Sequence, residues 1–149
     1  MLNEINGWEV VMNPRTIVAR NCPGSPQYDD SSFTAILHEQ GMWQRDQYWL
    51  LEWALYDLIS KAESGQELCG PVFRIFSYVM SAIISSFDQN DLFEIKNLKH
   101  EELYEFRERT QIIFEAFFAR RMPERVAFDE VNPLLPRTNA GSIDDKSGG

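Results

Sequence analysis

The chain has 149 residues, 44% hydrophobic, 25% charged and 13% aromatic, with a net charge of −9. That is the length of one domain, enough to bury a core without metal or disulfide support. The charge speaks against nucleic acid and anionic membrane surfaces, which need clustered Lys and Arg, and favours a basic protein partner, although acidity also serves solubility alone.

The first twenty residues are rich in β-branched side chains. Trp8 to Met12 and Thr16 to Ala19 read as two short strands joined by Asn13-Pro14-Arg15, or as a strand-like Trp8 to Met12 followed by a short helix or turn. The second reading is preferred, because Asn is a good N-cap and Pro a good first helical residue. Residues 21–30 hold Pro23, Gly24 and Pro26 and predict a loop. Ser31 or Ser32 then caps a helix that reaches Gln40 and stops at Gly41.

A second helix is expected from about Trp43 to Glu63, ending at Ser64-Gly65. Tyr48, Leu51, Leu55 and Leu58 form one apolar stripe on it, and Trp49, Trp53 and Tyr56 form another. A third helix is expected from Pro71 to Phe87, with Arg74 its only charge, and should be the most buried element. Its uncharged run from Ile75 to Phe87 is shorter than the ~20 residues that a membrane span requires. A fourth is expected from Lys99 to Arg121, with Leu103, Phe106, Ile113, Phe114 and Phe117 facing inward and Pro123 closing it. The second helix should bury one stripe against the third and the other against the fourth. Residues 124–136 then pack through Val126, Phe128, Val131 and Leu134-Leu135, and residues 137–149 read as a disordered tail. The expected fold is mainly α: a single-domain bundle of about four helices over 1–136, with a possible short β segment near the N-terminus.

The chemistry of catalysis finds little support. His38 and His100 are the only histidines and Cys22 and Cys69 the only cysteines, and none has the spacing of a metal site. No glycine pattern suits a phosphate. Cys22 has no activating base beside it in sequence. Asp29-Asp30 and Glu101-Glu102 are neighbours, which does not set two carboxylates across a cleft; Glu101-Glu102 suits a helix start. The expectation is no metal, no cofactor, no catalytic residue and a cytoplasmic protein with reduced thiols.

The acids are unevenly spread. Between Asp29 and Asp57 there are six (Asp29, Asp30, Glu39, Asp46, Glu52, Asp57) against one base, Arg45. The run ARNCPGSPQYDDSSFTAILHEQGMWQRDQYWLLEWA, residues 19–54, resembles the immunity proteins of bacterial polymorphic toxin systems, including contact-dependent growth inhibition. The resemblance covers about a quarter of the chain and rests on general character. It implies a cytosolic antitoxin that binds and blocks one cognate toxin domain, often a nuclease, which tends to be basic because its substrate is anionic. The chain itself is expected to be a monomer or a weak homodimer. Binding would run through an acidic and aromatic surface, with Tyr28, Asp29, Asp30, Glu39 and Asp46 as contacts and Trp43 as a possible anchor. A helical adaptor or regulatory subunit is the alternative, and a small enzyme using scattered acids a further one.

Overall fold

A computed structural model describes residues 13–136. The strand-like Trp8 to Met12 and the tail at 137–149 lie outside the described residues. Within them are five α-helices: α1 Pro14–Asn21, α2 Phe33–Gln40, α3 Arg45–Ser60, α4 Cys69–Phe87 and α5 His100–Ala119. Short 3-10 turns at Gln66–Leu68 and Arg125–Ala127 precede α4 and follow α5. The protein is a mainly helical, compact bundle, with no strand among the described residues.

Local chemistry sets several boundaries. The Asn13 side chain accepts a hydrogen bond from the Thr16 N–H, and Pro14 opens α1, so Thr16 to Ala19 are helical and not a strand. Ser32 caps α2 by accepting from the Ala35 N–H at 3.2 Å. Gly41 ends α2 in the left-handed conformation, with φ 65°. A Cβ there would stand 2.6 Å from the Glu94 carbonyl oxygen, so glycine is required both for the turn and for the close approach of the 88–98 connection. The Glu102 carboxylate accepts from the Lys99 N–H at 2.9 Å and fastens the start of α5.

Both α3 and α5 end without glycine. The Glu63 N–H donates to Leu58 O and the Ala62 N–H to Ile59 O, with Ala62 left-handed at φ 54°. The Arg121 N–H donates to Ala116 O and the Arg120 N–H to Phe117 O, with Arg120 at φ 60°. This is the Schellman pattern, in which the left-handed residue is usually glycine. It closes α3 ahead of the expected stop at Ser64-Gly65.

One apolar cluster joins all five helices. α1 lies along α3, and α2 packs on α4. α4 and α5 run antiparallel, since Phe73 meets Phe118, Phe76 meets Phe114 and Phe87 meets Tyr104. The backbone of α3 comes closest to α1, α5 and α2. Leu51, Ala54, Leu55 and Leu58 of its first stripe are fully buried, and Leu51, Leu55 and Leu58 share one cluster with Val72, Ile75, Val79 and Ile83 of α4.

α4 is not the most buried element. Val72, Ile75, Val79 and Ile83 face the core, whereas Phe73, Tyr78 and Ile84 are exposed. With the preceding turn it forms a 22-residue helical stretch, Gln66–Phe87, that by length and composition alone is apolar enough to cross a membrane, and 28% of its most apolar window is buried. Its sequence is apolar on more sides than the bundle uses.

Replacing Ala62 with Gly removes the cost of a left-handed alanine, ~1 kcal/mol. Urea denaturation of Ala62→Gly should show an unfolding free energy higher by about that amount; an equal or lower value would contradict the assigned helix end.

Candidate acidic binding sites

A buried ion pair joins two of the helices. Glu52 of α3 and Arg109 of α5 meet side-on, with Nε to Oε2 at 2.8 Å and Nη2 to Oε1 at 2.7 Å. Both side chains are almost fully enclosed. Asn132 donates to Glu52 Oε1 at 3.2 Å and to Trp49 O at 3.0 Å. The Arg109 Nη1 donates to the Glu130 carbonyl. Its guanidinium lies between the rings of Trp49, 4.7 Å away, and Phe128, 4.3 Å away. Burial and the Glu52 carboxylate push the Tyr48 hydroxyl well above its ordinary pKa. The arrangement ties residues 128–132 back onto α3 and α5.

That return creates a cleft of about 250 Å³ between α5 and residues 127–130. Phe106, Ile112 and Phe128 line it, and Glu105, Glu108, Asp129 and Glu130 surround it. Arg109 is matched by Glu52, and Glu130 by Arg45, which also bridges to Glu102. Among the described residues no ion pair neutralises Glu105, Glu108 or Asp129. The cleft is therefore a net-negative recess with an apolar lining. It suits one long cationic side chain and is small for a cofactor, whose pockets run to ~300–1,000 Å³. Among the described residues no three His, Cys, Asp or Glu side chains are grouped to hold a metal ion.

The residues singled out from sequence do not form one site. Burial pushes the Tyr28 hydroxyl up, and the Glu39 and Asp30 carboxylates push it further. Tyr78 of α4 stands with its ring edge-on to His38, 6.1 Å between centres. Both line a shallow groove of about 330 Å³ floored by Ser77, Ser81, Ala82 and Ser85. Asp29 serves its own loop. Its carboxylate accepts from the Ser31 N–H at 2.9 Å and from the Ser31 hydroxyl at 3.0 Å, and pairs with Arg20 at 2.8 Å. Asp46 is exposed on the first turn of α3, where a carboxylate complements the helix dipole.

Trp43 is a correction. It is 1% exposed, with its ring 4.8 Å from Phe33 and 4.6 Å from Phe106. The Asn97 side chain brackets its backbone, accepting from the Trp43 N–H and donating to the Trp43 carbonyl. The Gly41 turn directs it inward, so it is a core residue and no surface anchor. Cys22 is likewise buried, and burial raises its thiol pKa.

No protein-family model, curated protein or solved structure matches this chain.

Two outcomes follow. Arg109→Met strands the Glu52 charge in the core and should cost ~3–5 kcal/mol of stability, whereas Glu52→Leu/Arg109→Met should recover much of that loss. Equal losses in single and double variants, measured by urea denaturation, would refute the coupling. Asp29 is held below the ordinary carboxylate range, first by the Ser31 N–H and hydroxyl and then by Arg20. A depressed folded pKa gives stability that is present above the unfolded value and lost as pH falls through the folded one. The urea midpoint should therefore drop as pH falls through and below the unfolded aspartate value of ~3.9, and Asp29→Asn should flatten that drop.

Proposed function

We propose that this protein is a binding protein of the immunity type, which neutralises a basic toxin domain by occupying its cationic surface. The observation that carries the reading is the recess bordered by Glu105, Glu108 and Asp129, whose charges have no ion-pair partner among the described residues. A nuclease domain needs cationic side chains for its anionic substrate. An Arg or Lys from such a domain would lay its stem on Phe106, Ile112 and Phe128 and place its charge among the carboxylates. The buried Glu52–Arg109 pair holds the recess open before binding, which lowers the ordering cost of association. The Tyr28, Asp30 and Glu39 group is a second negative surface, on α2 and the loop before it.

The reading expects a basic toxin domain to be encoded beside this protein and to bind it. Titration calorimetry and rescue of growth on co-expression distinguish the two surfaces. Glu105→Lys/Glu108→Lys/Asp129→Lys should weaken binding ~100-fold or more and abolish rescue, while Asp30→Lys/Glu39→Lys should change affinity less than ~10-fold. Unchanged affinity in the first variant, with its helical circular dichroism intact, would eliminate the recess as the binding site.

A further inference from the structure

The aromatic walls of the acidic recess carry information beyond its charge. Phe128 closes a stack that starts inside the bundle: the Arg109 guanidinium stands 4.7 Å from the Trp49 ring centre and 4.3 Å from that of Phe128. Its N–H groups bond the Glu52 carboxylate and the Glu130 carbonyl. Phe106, the other aromatic wall, has a guanidinium of its own. Arg45 stands 5.2 Å from its ring centre and meets Glu102 at 2.7 Å and Glu130 at 2.9 Å. Two of the chain's own arginines thus settle against rings of this recess in the same manner, each with its N–H groups on oxygens from two separate segments. No lysine lines the recess. Phe106 is almost fully buried, with the Trp43 ring 4.6 Å and the Tyr48 ring 5.4 Å away, whereas Phe128 is only half-buried.

We infer that the recess is selective for arginine over lysine: the guanidinium of a partner's arginine extends the series Trp49, Arg109, Phe128 by one member, stacking on Phe128 with its N–H groups on Glu105, Glu108 and Asp129. The inference rests on the reading of the recess as the partner site and names the residue that the site takes. Charge by itself admits lysine equally; the ring distinguishes the two. A guanidinium is planar and weakly hydrated, so it gives up little water to lie on a ring, and its N–H donors fan out in one plane. An ammonium is a compact, strongly hydrated point charge. The acceptors suit the fan. Glu105 and Glu108 are three residues apart and share one face of α5, while Asp129 comes from the opposing 127–130 segment. A guanidinium lying on Phe128 therefore finds carboxylates on both walls of the recess. Repulsion from Arg109 across the ring is offset, because Arg109 is already matched by Glu52 while Glu105, Glu108 and Asp129 have no ion-pair partner among the described residues.

Nuclear magnetic resonance titration of the full chain tests this without a toxin, using N-acetyl-arginine methylamide and N-acetyl-lysine methylamide as probes. The arginine probe should shift the amide signals of Glu105, Glu108, Phe128 and Asp129 with a Kd of ~1–10 mM, and the lysine probe should bind at least ~10-fold more weakly. Phe128→Leu should lower the arginine probe to the affinity of the lysine probe, and Phe128→Tyr should keep the preference, which a purely structural role for Phe128 does not require. Glu105→Gln/Glu108→Gln/Asp129→Asn should weaken both probes in parallel. The comparison of the two probes on the wild type depends on no variant folding. Equal affinity for the two probes, binding of neither at ~50 mM, or shifts confined to another surface would overturn the inference. Equal affinity leaves the recess standing as a cation site, which the charge-reversal variants read separately on the toxin domain. An arginine preference without toxin binding supports the arginine site and counts against the toxin as its partner.

Discussion

The enclosed contact between Glu52 and Arg109 is the constraint on which the architecture turns. Two opposite charges removed from water are tolerated only when their hydrogen-bonding capacity is filled. Here the carboxylate receives Arg109 side-on and Asn132 beside it, while the guanidinium reaches the Glu130 carbonyl and lies between Trp49 and Phe128. Three stretches distant in the chain must converge for this to happen: the middle of α3, the middle of α5 and the segment after α5. A register shift of either helix would leave an ion unpaired in an apolar core. The pair thus acts against alternative packings of a helix set that is otherwise held by interchangeable Leu, Ile and Phe contacts.

The same contact explains where the negative recess lies. Because residues 128–132 are drawn onto the bundle, Asp129 and Glu130 are brought beside Glu105 and Glu108 of α5. Arg45 completes the frame by bridging Glu102 and Glu130, joining the start of α3 to the start of α5. One side of α5 borders an acidic hollow with an apolar lining, and another packs against α4.

Much of the helical layout was legible from short-range signals. Asn13-Pro14, Ser32 and Gly41 act through their own backbone geometry and hydrogen bonds within three or four residues, so their meaning survives without tertiary context. The ends of α3 and α5 were less legible, because Ala62 and Arg120 occupy positions where glycine is the usual signal. Trp43 misled because an aromatic residue between Gly41 and Arg45 reads equally well as an anchor or as core; only the inward turn after Gly41, braced by Asn97, separates the two. The extreme hydropathy of α4 pointed to deep burial, yet the bundle covers one of its sides and leaves Phe73 and Ile84 outside.

From the sequence by itself came the helical class, the positions of α2 to α5 to within a few residues, the negative charge and the lack of metal-ligand spacings, all of which depend on composition or on neighbours along the chain. The tertiary structure alone decided that Glu52 faces Arg109 across 57 residues, that carboxylates from α5 and from 129–130 share one recess, and that Asp29 turns to Ser31 and Arg20 while Trp43 turns into the core. The reason is physical. Periodicity states which side of a helix is apolar, but partner, register and the side left uncovered emerge only when all the helices compete to bury their faces at once.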